Sequence, residues 1–369
     1  MTQHPFIPLD EPLLGGNERK YLNQCIDTNW ISWQGEFGGR LEKAMAGYCE
    51  TKHALAIVNG TYALVLALQA LGVGPDDEVI CPTLTMSATA FAATTVGAKV
   101  VWVDNAPHSL TLDPADVARK ITAKTKAVLA VHLYGRAADM ERLLAVTKPK
   151  NIPVIEDVAE GFAAKTSGRR VGGWGTIACH SFHNKILASG EGGAVTLNDD
   201  RLAAKLNELR TPPPDNAGGT VIALNNRMSN LAAAVALAQL ERVDELVETR
   251  RKVAKLYDQY FAGVPGLETF KERDNEWCVF WRYQIALTPG HPLTNKELVA
   301  RLRKHNIESR PIFTLMSDHP YYKPLSSGEY PNARLVSEQS LDLPSSPRLT
   351  PEQIERVAKT VIECVANKR

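Results

Sequence analysis

Short apolar runs alternate along the first half of the chain with segments whose apolar positions recur at helical spacing. The runs predict strands at residues 54–58, 78–81, 99–103, 127–131 and 153–155. Helical segments at 62–71 and 140–147 stand between these runs. Strands that alternate with helices in this way are typical of an α/β fold with a mostly parallel sheet.

The pattern changes to long helical segments beyond residue 202, where 231–243 is followed closely by 245–261. The rest of the chain predicts a strand at 279–287, a helix at 295–305, a strand at 307–311 and an amphipathic helix at 351–365. Segments rich in Pro, Gly and Ser predict loops at 210–220 and 320–331. We therefore expect a large domain over residues 1–245 and a small α+β domain over 246–369.

The composition is that of an ordinary globular chain of 369 residues with 44% hydrophobic content and a formal net charge of +1. Because 42 Lys and Arg residues nearly balance 41 Asp and Glu residues, no basic surface for nucleic acid or for an anionic membrane is expected. The first residues lack the pattern of a signal peptide, and no apolar run approaches the roughly 20 residues of a membrane span. These features predict a cytoplasmic protein. Six scattered cysteines without a C-x-x-C pair favour free thiols over a metal site.

One lysine lies in an unusual place. Strand-like runs at 176–181 and 193–197 bracket a turn that contains Lys185 and the glycine-rich sequence 189–193. The glycines allow the backbone to pass close to the lysine and leave room for a planar ring. A lysine there can form an imine with a carbonyl cofactor, and a surface lysine in a turn is the alternative. We expect this loop at the edge of the sheet.

Polar residues follow several of the predicted strands. Asp157 comes after an apolar strand, so its carboxylate needs a partner, which is the N–H of a pyridinium ring, a helix N-terminus or a salt bridge. Glu160 either reaches the same pocket or lies on the surface. Gly60 and Thr61, between a strand and a helix, present backbone N–H groups that bind a phosphate or simply cap the helix. Ser181 offers a hydroxyl to a phosphate or is an edge-strand serine.

In this order the residues resemble the sugar aminotransferases of the DegT/DnrJ/StrS family, which have the aspartate-aminotransferase-like fold (fold type I). The resemblance covers nearly the whole chain. Besides the lysine turn it includes the segments 29–32 (Asn-Trp-Ile-Ser), 58–61 (Val-Asn-Gly-Thr), 131–135 (Val-His-Leu-Tyr-Gly), 155–157 (Ile-Glu-Asp), 226–230 (Asn-Arg-Met-Ser-Asn) and 308–311 (Glu-Ser-Arg-Pro).

The resemblance implies pyridoxal 5′-phosphate as the cofactor. Lys185 is then the catalytic residue that forms the imine, Asp157 holds the pyridine nitrogen and Glu160 lies near the ring hydroxyl. In an aminotransferase the freed lysine also moves the proton between the substrate carbon and the cofactor.

The resemblance also implies the remaining cofactor contacts. Gly60, Thr61 and Ser181 take the phosphate, and Met86 stands where an aromatic ring usually stacks on the cofactor. Asn225 matches an asparagine that reaches the phosphate of the neighbouring subunit. A homodimer with shared active sites follows from that match.

Four features are similar to the GDP-perosamine synthases within the family, namely residues 131–135, Glu160, residues 237–241 and residues 308–313. They imply transfer of an amino group from glutamate to a nucleotide-linked keto sugar, such as the 4-keto-6-deoxyhexose precursor of perosamine, in deoxyamino sugar biosynthesis for O-antigen or lipopolysaccharide. Candidate substrate contacts are Trp30, Ser32, His132, Tyr134, His183 and Arg310. Another keto sugar, or a non-catalytic regulator that binds pyridoxal phosphate, is the alternative.

Overall fold

The computed structural model describes residues 5–213 and 222–366, so most of the predicted loop at 210–220 lies outside the described residues. The strands are β1 (His53–Ile57), β2 (Glu78–Pro82), β3 (Lys99–Val103), β4 (Thr125–Val131), β5 (Val154–Asp157), β6 (Lys165–Thr166), β7 (Arg169–Arg170), β8 (Ile177–Ser181), β9 (Gly193–Leu197), β10 (Leu267–Thr269), β11 (Glu276–Trp277), β12 (Tyr283–Leu287), β13 (Arg310–Pro311) and β14 (Ser340–Leu343).

The helices are α1 (Glu18–Asp27), α2 (Glu36–Tyr48), α3 (Gly60–Ala70), α4 (Ser87–Thr95), α5 (Pro114–Lys120), α6 (Met140–Thr147), α7 (Asp200–Arg210), α8 (Asn230–Leu240), α9 (Val243–Phe261), α10 (Asn295–Lys304), α11 (Pro331–Gln339) and α12 (Pro351–Ala366). Short 3-10 turns occur at Leu133–Gly135, Lys148–Lys150, Met316–Asp318 and Lys323–Leu325.

The largest sheet has the strand order β1-β9-β8-β5-β4-β2-β3. The strands from β8 to β3 are parallel to one another, whereas β9 is antiparallel to both β8 and β1. This confirms the predicted α/β fold with a mostly parallel sheet. The lysine turn joins β8 to β9, and β1 covers β9 on its outer side. The turn was expected at the edge of the sheet. Because β1 pairs outside β9, the turn lies one strand in from that side, at the carboxyl end of β8.

The apolar runs are continuous because this sheet is buried on both faces. Successive residues of one strand belong to different clusters: Val79 is part of the cluster that includes residues of α1 to α4, α7 and α8, whereas Ile80 is part of the cluster that includes residues of α5 and α6. Every residue of β2, β5 and β9 is buried. Because the core packs on both faces, it fixes the positions of the strand ends. Polar residues that follow the parallel strands are therefore held together at the carboxyl ends of those strands.

A separate antiparallel sheet has the order β10-β12-β14-β13. Its core includes apolar residues of α9, α10 and α12 and also Ile7, which forms a bridge with Ile307. The start of the chain therefore packs with its last third. The predicted domain boundary at residue 245 falls inside α9 and stays a prediction. A third, small sheet has the order β11-β6-β7.

Two further observations concern function classes. Over residues 5–213 and 222–366, no helix has both the length and the apolarity that crossing a membrane requires. The same residues contain no cluster of three or more His, Cys, Asp or Glu side chains suited to a metal ion. All six cysteines are free and buried.

Candidate active site

A cavity of about 200 Å³ opens where β2, β4, β5 and β8 end and α3 begins. Parallel α/β sheets bind their ligands at these carboxyl ends of the strands. The structure brings eight of the predicted site residues together in its lining: Gly60, Thr61, Met86, Asp157, Glu160, Ser181, His183 and Lys185.

The first turn of α3 forms one wall of the cavity. The Asn59 side chain caps the helix by accepting a hydrogen bond from the Tyr62 N–H at 2.9 Å. The N–H groups of Gly60 and Thr61 precede that bond and have no intrahelical acceptor, so this helix end favours an anion. A Cβ atom at Gly60 would lie 2.6 Å from the Ser181 Cβ atom. Only glycine therefore fits between the helix and the end of β8.

Asp157 ends β5 inside the cavity and is 6% exposed. Its Oδ2 atom accepts from the Thr89 hydroxyl at 2.8 Å, and its Oδ1 atom accepts from the Ala159 N–H at 3.2 Å. Burial raises the pKa of Asp157 above its ordinary value, and these two hydrogen bonds offset only part of that effect. Within the described ranges Asp157 forms no ion pair, so a cationic N–H group in the cavity would stabilise its ionised form.

Lys185 points toward Glu160. Its Nζ atom donates to the Glu160 Oε1 atom at 3.1 Å, and the exposed fractions of the two side chains are 12% and 4%. The Glu160 Oε2 atom accepts from the Tyr134 N–H at 2.9 Å. The lysine is therefore an ammonium held by a buried carboxylate, in place of the exposed side chain that a simple turn would give.

Trp281 is a site residue that sequence analysis missed. The Lys185 Nζ atom lies 3.7 Å from the centroid of its indole ring. Trp281 precedes β12, and it stands in an apolar run that looks like any buried strand. No local signal in the sequence marks it as part of a site.

Glu156 is buried next to Asp157 but serves a different purpose. Its carboxylate accepts from the His132 Nε2 atom at 3.1 Å and from the N–H groups of Gly172, Trp174 and Gly175 at 2.9, 2.8 and 2.7 Å. Burial opposes ionisation, yet the hydrogen bonds from His132 and from the backbone outweigh it and lower the pKa of Glu156. This carboxylate therefore anchors the turn at 172–175.

The structure places two predicted substrate contacts behind the cavity. His132 is fully buried, and its Nδ1 atom accepts from the Ala138 N–H at 3.0 Å, so Nε2 carries the proton donated to Glu156. Tyr134 is 1% exposed, and its hydroxyl accepts from the Phe313 N–H at 2.9 Å. Both side chains are engaged with the protein itself, and the substrate roles predicted for them are not visible in this arrangement.

Four other predicted residues lie outside the cavity lining: Trp30, Ser32, Asn225 and Arg310. Asn225 is exposed, and its Oδ1 atom accepts from the Arg227 Nε atom at 2.9 Å. Arg310 is also exposed and donates to Glu308 at 2.9 Å. Their roles in substrate or phosphate binding stay predictions. His183, in contrast, lies at the exposed side of the cavity, 3.9 Å from Glu191.

The model of the DegT/DnrJ/EryC1/StrS aminotransferase family matches residues 12–362. A GDP-perosamine synthase of Caulobacter vibrioides is 42% identical over 362 residues, which cover 97% of this chain and 98% of that protein. A GDP-perosamine synthase of Vibrio cholerae is 37% identical, with 98% of each chain covered. The crystal structure of DesV from S. venezuelae superposes with a TM-score of 0.91 at 30% identity and covers 98% of this chain and 99% of DesV.

The chain belongs to the DegT/DnrJ/EryC1/StrS aminotransferase family. The family, the fold type and the aminotransferase class predicted from the sequence are confirmed.

The anchoring role of Glu156 predicts a pH-dependent loss of stability. We expect Glu156→Gln to lower the free energy of unfolding at neutral pH by roughly 2–4 kcal/mol, because it removes a charged acceptor from buried N–H donors. Since the folded pKa is lowered, the charge stabilises the native state above the ordinary value of 4.5 and loses this effect as the pH falls through the folded pKa. The difference between wild type and variant should therefore shrink in acid.

Urea denaturation across this pH range measures the difference. Glu355→Gln is the control, because the Glu355 side chain is 43% exposed and its ion pair is the surface pair with Lys359, four residues along α12, so a change within about 0.5 kcal/mol is expected. A Glu156→Gln effect that stays constant into acid would contradict the assignment.

Proposed function

We propose that the chain is a pyridoxal 5′-phosphate-dependent aminotransferase that transfers an amino group from glutamate to a GDP-linked 4-keto-6-deoxyhexose. The observation that carries the proposal is the convergence of Lys185, Asp157 and the Gly60–Thr61 turn on one cavity. The Caulobacter and Vibrio relatives are GDP-perosamine synthases, which supports the choice of sugar and nucleotide.

The cavity suits the cofactor at both of its ends. A phosphate matches the N-terminus of α3, with the Ser181 hydroxyl as a further donor close to Gly60. At the other end, a protonated pyridine nitrogen would give Asp157 the cationic partner that burial demands. Met86, 45% exposed at the start of α4, offers a polarisable thioether for one face of the ring.

When bound, the cofactor supplies an aldehyde and an electron-accepting ring. Lys185 would hold the cofactor through its Nζ atom, and the same atom, when free, would carry the proton at the reacting carbon. Glu160 orients that Nζ atom from 3.1 Å. Thr89 fixes the Asp157 carboxylate through a 2.8 Å hydrogen bond, and the carboxylate held in this way would pair with the ring nitrogen.

We also propose a homodimer, because apolar side chains are exposed beside the phosphate turn. Trp30 and Ile31 are each 51% exposed, and Trp33 is 44% exposed with the Arg227 guanidinium 4.0 Å from its ring centroid. The patch lies close to the end of β1. Asn226, which precedes Arg227, accepts a hydrogen bond through its carbonyl from the N–H of Val58 at 2.8 Å. A second copy that covered the patch would bring its own Asn225 toward a phosphate site. The cytoplasmic location stays a prediction.

The reaction is tested with a panel of nucleotide-linked 4-keto and 3-keto sugars, glutamate and added pyridoxal phosphate. We expect an aminated product, identified by its mass, from the GDP-linked 4-keto-6-deoxyhexose. Lys185→Ala should lower the rate by at least about 10⁴-fold, because both the nucleophile and the proton carrier are lost. Lys205→Ala, on α7, is a control expected to keep the wild-type rate. If glutamate converts the cofactor but no sugar is aminated, the proposed sugar substrate is wrong. If glutamate does not convert the cofactor, the proposed transamination is wrong.

The dimer is tested by sedimentation of the wild type and of Trp33→Asp. We expect the variant to shift toward monomer, because a charge would be buried at the centre of the apolar patch. Leu325→Asp is a matched control, since Leu325 is 72% exposed in a different part of the chain. A wild type that sediments as a monomer at all concentrations would contradict the proposal.

A further inference from the structure

The indole of Trp281 faces the amine of Lys185. The Nζ atom lies 3.7 Å from the ring centroid, and the same atom donates to Glu160 at 3.1 Å. Trp281 is 6% exposed. A cation removed from water in this way is attracted by the electron-rich face of the indole, and the attraction is larger than at an exposed site. Lys185 is therefore held between a carboxylate and an aromatic face.

The backbone before Trp281 adopts an uncommon conformation. Phe280 has a φ of +49°, which is an outlier for a bulky residue. The segment also packs closely against Gly135, where a Cβ atom would lie 2.6 Å from the Trp281 nitrogen and 2.7 Å from the Phe280 nitrogen. Strain of this kind persists where the surrounding structure imposes it, often at functional sites. Here the left-handed residue stands just before Trp281, whose ring lies against Lys185, and the strand begins only at Tyr283.

Further contacts fix the ring. The Trp281 carbonyl accepts from the buried Arg250 Nη1 atom at 3.1 Å, and Arg250 is paired with Asp10 at 3.1 Å. The indole lies within 10° of parallel to the Tyr134 ring, with 6.2 Å between centroids. The Arg282 guanidinium, 4.4 Å from the same indole centroid, shares the Asp10 carboxylate with Arg250 and lies 3.1 Å from it. The indole is thus in place before the lysine moves.

We propose that Trp281 is a positioning residue that, with Glu160, holds Lys185 whenever the lysine has no covalent bond to the cofactor. This rests on the proposed function, in which Lys185 is bonded and released in each cycle. Because its indole face favours a cation, Trp281 keeps the released amine beside the reacting carbon and away from solvent. Glu160 follows β5 of the seven-stranded sheet and Trp281 precedes β12 of the four-stranded sheet. The two side chains that hold the lysine therefore come from loops of different sheets, and they contact it together where those loops pack against each other.

The test uses the full chain loaded with pyridoxamine 5′-phosphate, the cofactor form to which the lysine is not bonded. A pulse of an amine-acylating reagent followed by peptide mass spectrometry gives the labelling rate of each lysine. We expect Trp281→Leu to raise the Lys185 rate by about 3- to 30-fold, because loss of the cation–π contact releases the amine. Trp281→Phe, which keeps an aromatic face, should restore most of the protection.

Trp277 provides a matched control. Its ring lies 5.0 Å from the Lys165 Nζ atom, so Trp277→Leu should raise the labelling of Lys165 and leave Lys185 unchanged. Equal Lys185 rates in wild type and Trp281→Leu would overturn the proposal, as would a Trp281→Phe variant labelled as fast as Trp281→Leu.

A further measurement covers the case in which Trp281→Leu does not fold. Incorporation of fluorinated tryptophan keeps the ring shape and weakens its electron-rich face, so Lys185 should again be labelled faster, and an unchanged rate would overturn the proposal. Labelling is repeated on the cofactor-free chain and needs no turnover. A protein that aminates no sugar but still shows Trp281-dependent protection would refute the proposed sugar substrate and keep this inference.

Discussion

Burial of carboxylates at the end of one strand is the constraint on which the site depends. Glu156, Asp157 and Glu160 are 0%, 6% and 4% exposed. An unpaired charge in such surroundings costs several kcal/mol, so each group needs compensation. Glu156 obtains it from backbone N–H groups and His132, and Glu160 obtains it from Lys185. Asp157 has a hydroxyl and one N–H as donors, which is why it is the group suited to a cationic ring nitrogen.

The same carboxylates connect the site to the rest of the molecule. Glu156 fixes His132 in the loop that follows β4, and Glu160 accepts from the backbone of Tyr134 in that loop. The Tyr134 ring then stacks near Trp281, and its hydroxyl accepts from Phe313 beside the four-stranded sheet. Side chains that a sequence comparison assigns to the substrate thus form the support beneath the lysine.

Local patterns predicted most of the large sheet and several of the cavity residues, whereas Met86 and His183 were predicted from the family resemblance alone. The apolar runs mark buried strands, and Asp157, Ser181 and Lys185 lie at or just after the carboxyl ends of those runs, so the sequence indicates that they come together where the parallel strands end. The strand predicted at 279–287 begins only at Tyr283, because Phe280 takes a left-handed conformation that no residue pattern announces. For the same reason Trp281 was missed. Adjacent acids on a strand point to opposite faces, and the sequence alone does not tell which of Glu156 and Asp157 faces the cavity.

The central claim is that Lys185 is the residue that bonds to the cofactor, and peptide mapping after borohydride reduction tests it most directly. Reduction of the protein incubated with pyridoxal 5′-phosphate makes the lysine–cofactor bond permanent, and mass spectrometry of the digest identifies the modified residue. We predict a phosphopyridoxyl group on Lys185, at close to one per chain, with the other lysines essentially unmodified. A modification on a different lysine, or none above the level of a denatured control, would contradict the account.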